Sequence, residues 1–236
     1  TDRSRGLGDV YKRQNQGHIM KKLSTSKQMA INMVAAIVSF LIGTGINFVL
    51  APYLVKELGS ETYGFIGLAN NFVQYATIVT SALNSMSGRF ISIEYSKGNI
   101  DKASRYFSSV LVADLIIAGV LLLVSSIITF NIEFILNVPE NLVDSVKILF
   151  ALTFATFIIS VITAIFTTAA FVKNKLYINS LRDIASNTLK LLLVVILFSF
   201  FPAKVYFLAM ASLASGIFLL PVSYTHLRAH ETDQYL

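Results

Sequence analysis

The sequence predicts an all-α, polytopic membrane protein with six transmembrane helices. Three observations carry that expectation. Hydrophobic residues make up 55% of the chain and charged residues only 14%, whereas a soluble domain carries about a quarter charged. The apolar residues fall in long blocks, which is the pattern that solvation by a bilayer requires. The basic residues gather in alternate connections between those blocks, the distribution that sets orientation across a membrane.

Six blocks, at residues 28–54, 63–86, 107–130, 146–172, 179–201 and 203–221, each approach the roughly 20 residues that a helix needs to cross the hydrocarbon. Backbone groups in hydrocarbon must be satisfied within their own segment, so these blocks are helices. Barrel strands would be shorter and would alternate. The fifth and sixth blocks are separated only by Phe201-Pro202-Ala203-Lys204. The proline marks a boundary there, because it disfavours helix in the residue before it.

Orientation follows from the lysines and arginines. Lys21, Lys22 and Lys27 precede the first helix; Arg89, Lys97, Lys102 and Arg105 fall between the second and third; Lys173, Lys175 and Arg182 fall between the fourth and fifth. All ten lie on one side of the membrane. Across it stand only Lys56, Lys147 and Lys204, in company with Glu57, Glu61, Glu133, Glu140 and Asp144. The N-terminus is therefore expected in the cytoplasm. Since no basic cluster lies outside these loops, nucleic acid is not an expected partner.

The two ends break the pattern. Residues 4–14 read SRGLGDVYKRQ and residues 222–232 read VSYTHLRAHET. One DNA string encodes the first, and its reverse complement encodes the second. That string resembles a widely used transposase sequencing adaptor. Segments 1–14 and 222–236 are accordingly expected to be non-native, the alternative being a basic tail and a His-containing tail, and they are set aside from fold reasoning. Met20, followed by Lys21 and Lys22, looks like a natural start, and the native chain is expected to continue past Pro221. Residues 20–221 hold fourteen basic and nine acidic side chains, so the net charge falls from +6 to +5.

Polar residues inside the apolar blocks are spaced by helical turns. The first helix carries Asn32, Ser39, Gly43 and Asn47; the second carries Asn70, Gln74, Thr77, Ser81 and Asn84. Each set makes one stripe. Such a stripe is either helix–helix glue or the wall of a hydrated cavity. Asn47, Asn70, Gln74 and Asn84 are taken as candidate substrate contacts on the second reading.

Two ionisable residues lie deep in the spans. Lys190 is roughly 15 Å into the fifth, and Asp114 roughly 10 Å into the third. A central charge costs about 3 kcal/mol or more, and such residues usually face an interior cavity. Lys190 is the candidate for the substrate path and Asp114 for ion coupling. The structural alternatives are a Lys190–Asp114 pair, or a lysine that snorkels outward. Arg89, at the cytoplasmic end of the second helix, is either a phosphate contact or an ordinary positive-inside residue.

Much chemistry is excluded. The chain has no cysteine, and residues 20–221 have no histidine, so there is no triad, thiol nucleophile or common transition-metal site. No P-loop is present, and the short loops leave no room for a soluble catalytic domain. Neither enzyme activity nor a cofactor is expected.

Two segments carry a family resemblance. Residues 52–64 read PYLVKELGSETYG, which in the family is a tight loop between the first two helices. Glycines 59 and 64 suit a sharp re-entry. Gly88-Arg89-Phe90 through Gly98-Asn99 is similar to the cytoplasmic loop that follows. Residues 27–109 thereby resemble the opening of oligosaccharide flippases in the polysaccharide-transporter family. That family shares a superfamily with multidrug extruders and lipid II flippases. The resemblance implies that the six helices, residues 20–221, form the N-terminal lobe of a two-lobe transporter in the bacterial inner membrane. It implies a missing C-terminal lobe as partner, and an undecaprenyl-pyrophosphate-linked oligosaccharide as substrate. The pyrophosphate and sugar would enter the cavity while the lipid tail stays among the membrane lipids. Alternating access would be driven by a proton or sodium gradient. On this reading Lys190 and Arg89 contact the anion and Asp114 couples the ion.

Two other functions fit the spans. A drug–cation antiporter of the same superfamily would place acidic residues in the cavity, and Asp114 alone supports that. A non-transporting assembly protein, or a polytopic glycosyl- or acyltransferase, would need few buried charges or a loop with acid or histidine chemistry. A half-transporter exposes the face meant for its other lobe, so poor stability in isolation is expected.

Overall fold

In a computed structural model the described residues, 2–172 and 174–218, are helical apart from short connections. Of residues 2–25 the backbone alone is described; segment 222–236, read above as non-native, lies outside the described residues. The elements are α1 (Asp2–Leu58), α2 (Ser60–Ser96), α3 (Ile100–Phe130), a one-turn α4 (Ile132–Ile135), a 3₁₀ turn (Glu140–Leu142), α5 (Val143–Val172), α6 (Leu176–Phe200) and α7 (Phe207–Phe218).

A helix falls on each of the six expected blocks. Four stretches are long and apolar enough to cross a membrane: Ser26–Leu58, Ile100–Phe130, Glu140–Ala164 and Leu176–Phe200. The second is not among them, and the reason is visible in its sequence. From Thr62 to Gly88 it has no charged side chain, yet Asn70, Asn71, Gln74 and Asn84 dilute its hydropathy. The last helix is described only as far as Phe218.

Two groups of helices build the bundle. α1 lies along α6, while α2, α3 and α5 pack on one another. α1 touches α6 through a narrow seam. Asn32, Leu50 and Leu54 are buried there, and Ala35, Ser39, Gly43 and Ile46 are half-buried. Its other faces are bare, with Phe40 69% and Phe48 81% exposed, as suits a helix solvated by lipid or by another subunit.

The apolar core is thick at one end only. Phe65, Ile66 and Ala69 of α2 meet Val146, Leu149, Phe150 and Phe154 of α5, with Ile132 of α4 and Val205 and Ala209 of α7. Beside them Leu50 and Leu54 of α1 pack on Val194 of α6 and Ala211 of α7. These residues surround the acidic connections. At the basic end the core shrinks to Ile91 and Ala103, backed by Phe107, Val110 and Leu111. The bundle is thus closed at its acidic end and loosely packed at its basic end.

The expected tight loop at residues 52–64 is shorter than the sequence suggests. α1 runs helically through Pro52, and the reversal into α2 is made by Gly59 alone, at φ 80° and ψ 155°. Gly64 lies inside α2. The Gly59 conformation is essentially restricted to glycine, and no atom crowds the position. Gly59→Ala is therefore expected to cost about 1–3 kcal/mol through backbone strain alone. Unfolding in detergent measures it, and an unshifted midpoint would refute it.

The α2–α3 turn is a Schellman motif. Gly98, at φ 79°, donates its N–H to the Tyr95 carbonyl, and Asn99 donates to the Glu94 carbonyl, both at 3.0 Å. The Glu94 carboxylate accepts from Lys97 Nζ at 2.9 Å and from Asn99 Nδ2 at 3.0 Å. These hydrogen bonds, from Lys97 first, hold its pKa below the ordinary value. At the far turn α6 ends on Phe201, whose backbone is extended before Pro202, as the proline requires.

Candidate functional site

Polar residues from five helices meet inside the bundle. Two adjoining cavities of about 570 Å³ and 260 Å³ share four wall residues, Thr156, Ser160, Lys190 and Ser212, and so form one polar space. Asn47 of α1 and Asn70 and Thr77 of α2 line the larger part. Arg182, Asp183, Ser186 and Asn187 of α6, with Ser215 of α7, line the smaller, towards the basic end.

The walls are built by helical spacing. On α5 Thr153, Thr156, Ser160 and Thr163 follow one another by three or four residues, which keeps them on one face. Each donates its hydroxyl hydrogen to a carbonyl of its own helix. Thr153 reaches Leu149 O at 2.8 Å, Thr156 reaches Leu152 O at 2.8 Å, and Ser160 reaches Phe157 O at 2.7 Å. Ser212 and Ser215 of α7 do the same at 2.9 Å. Their hydrogens are thus occupied, and what remains is oxygen lone pairs. A wall of this kind accepts hydrogen bonds.

Lys190 supplies the opposite chemistry. Its ammonium group has three donors and a full charge. It lies where the two cavities join. Among the described residues it makes no ion pair. The acid in the same cavity, Asp183, faces Arg182 at 3.5 Å. A Lys190–Asp114 pair does not form, because α3 and α6 do not pack against each other. Asp114 is 2% exposed on α3, away from this cavity, and its Oδ2 has no hydrogen-bond partner. The helices packed on α3 carry no charged residue through 62–88 or 148–172.

The other sequence candidates separate. Asn47 and Asn70 line the central cavity. Asn84 and Arg89 line a third cavity, of about 710 Å³, near the basic end of α2. Gln74 is exposed and lines none of the three. The α1 stripe divides as well. Asn32 is glue: its Nδ2 donates to the backbone and side-chain oxygens of Asn174, at 3.0 and 2.9 Å, and its Oδ1 accepts from Tyr177 N–H at 3.0 Å. Gly43 gives room to Asn187, whose Nδ2 would lie 3.3 Å from a Cβ at that position.

Sequence reasoning missed the α5 hydroxyls, Ser186, Asn187, Ser212 and Ser215. The α5 residues have the same three-four spacing that marked the α2 stripe and were legible by it. The α6 and α7 residues are short polar groups near Lys190 and carry no comparable signal.

Helices with apolar outer faces around a polar, cation-bearing interior define a multi-pass membrane protein of the transporter type. Residues 29–235 match the family described as polysaccharide biosynthesis protein. An uncharacterised membrane protein of Bacillus subtilis (strain 168), EpsK, is 32% identical over 197 residues, which is 84% of this chain. The chain belongs to this family, that of the polysaccharide transporters. It spans 39% of the length of the Bacillus relative. No solved structure matches it.

Proposed function

We propose that the chain is the N-terminal lobe of a flippase. The full protein would carry an undecaprenyl-pyrophosphate-linked oligosaccharide from the cytoplasmic to the outer leaflet of a bacterial inner membrane. The observation that carries this reading is Lys190, a cation without an ion-pair partner among the described residues, inside a cavity walled by acceptors. The ammonium group suits a pyrophosphate. The threonine, serine and asparagine oxygens suit sugar hydroxyls, which donate. Loose packing at the basic end gives access from the leaflet where the substrate is made, and the thick core at the acidic end closes the other side. Movement of this lobe against a second one would reverse the access.

Asp114 is assigned to ion coupling. It is a buried carboxylate facing helices without a counter-charge, where holding a charge is costly. Uptake of a proton or a sodium ion is the chemistry that fits. A drug–cation antiporter is less well supported, since the acid in the central cavity, Asp183, is already engaged by Arg182.

Cells depleted of the full-length protein are expected to retain lipid-linked oligosaccharide on the cytoplasmic leaflet. Lectin accessibility in oriented vesicles measures this. Undiminished appearance of the sugar on the outer face would remove the reading.

A further inference from the structure

We propose that the third cavity is a separate anion site, which takes a phosphate-ester headgroup at the basic end of the lobe. It shares no wall residue with the central cavity. At about 710 Å³ it lies within the range of small-ligand sites. Arg89 lines it and makes no ion pair among the described residues. A guanidinium group is the side chain best matched to phosphate oxygens, because its planar fork donates two parallel hydrogen bonds.

Two further wall residues want a partner. Asn84 Oδ1 and Ser92 Oγ are buried and have none. The Asn84 amide nitrogen is already committed to the Thr80 carbonyl at 3.1 Å, so its free atom is an acceptor. A ligand that brings an anion to Arg89 and a hydroxyl to Asn84 would satisfy both. The remaining wall includes Ile93, Phe171 and Leu176, an apolar side along which a lipid chain can lie. Position agrees with this chemistry. The cavity opens beside the turn that carries Lys97, Lys102 and Arg105, where basic groups meet the phosphates of a membrane surface. The site needs no translocation, so it stands apart from the transport reading.

The 236-residue chain in phosphatidylcholine nanodiscs, titrated with radiolabelled farnesyl phosphate, tests this. Saturable binding is expected, with half-saturation raised about tenfold or more in Arg89→Gln, as befits the loss of a charge-assisted hydrogen bond. Arg89→Lys should recover part of that loss, and Lys190→Gln should leave binding unchanged. Competition by excess inorganic phosphate would identify a soluble phosphate as sufficient. Competition by phosphatidylglycerol alone would identify a lipid headgroup. Equal half-saturation in Arg89→Gln, absence of saturable binding, or loss in Lys190→Gln instead, would each overturn the assignment. Only the last would leave an anion site at Lys190, so failure here is distinguishable from failure of the flippase reading.

Discussion

Lys190→Gln is expected to slow translocation of the lipid-linked oligosaccharide by roughly 10- to 100-fold, the effect of losing charge-assisted hydrogen bonds to an anion. Glutamine keeps most of the length and a donor but removes the charge. Lys190→Arg keeps the charge and should retain much of the rate. The stability of the two variants distinguishes a functional lysine from a structural one. Because Lys190 has no ion-pair partner among the described residues, its neutralisation leaves no orphaned counter-charge. The unfolding midpoint of Lys190→Gln should therefore stay where it is or rise. Normal translocation by Lys190→Gln at wild-type abundance would end the anion role. A lowered midpoint together with lost transport would show a packing role instead.

The largest stability effect is expected at Asn32. Its three hydrogen bonds join α1 to the α5–α6 turn across more than 140 residues of sequence, and the side chain is 7% exposed. That turn holds Asn174 at φ 53°, a left-handed conformation uncommon outside glycine that asparagine tolerates better than most residues. Within a membrane each bond contributes about 0.6 kcal/mol on average. Truncation also strands the Tyr177 N–H and the Asn174 oxygens. Asn32→Ala should cost about 2–4 kcal/mol in all. Asn32→Asp keeps the acceptor for Tyr177 N–H and loses the donor, so it should fall between. Unfolding in detergent with increasing denaturant reads both. An Asn32→Ala protein within about 0.5 kcal/mol of wild type, the scatter of ordinary surface changes, would show that the clamp contributes little.

Asn32 and Asn47 show where sequence reading stops. They are the same residue type on the same helix, in one stripe of polar and small side chains. One ties a turn and the other lines a cavity. Nothing local distinguishes them, because the difference lies in what stands opposite. Asn174 and Tyr177 face the first, and α2, α5 and α7 face the second. Lys190 and Asp114 make the same point. Their depths match closely enough for pairing, yet their helices belong to different parts of the bundle. Arg89 and Asn84, candidates for the same site as Lys190, line a cavity of their own. The Gly59 turn is intermediate. Its glycine was legible as a reversal, but the shrinking of a thirteen-residue motif to one non-helical residue came from α1 continuing through Pro52.

The amino-acid sequence alone determined the helical class, the positions of the six helices and the break at Phe201-Pro202. These depend on local properties: how apolar a stretch is, whether its backbone can satisfy itself, and which dihedral angles a residue allows. The tertiary structure decided which polar faces meet, which end of the bundle is closed and which charges stand apart. Those outcomes depend on the rotation of each helix about its axis and on its choice of neighbour. Many side chains far apart in the chain share in setting both.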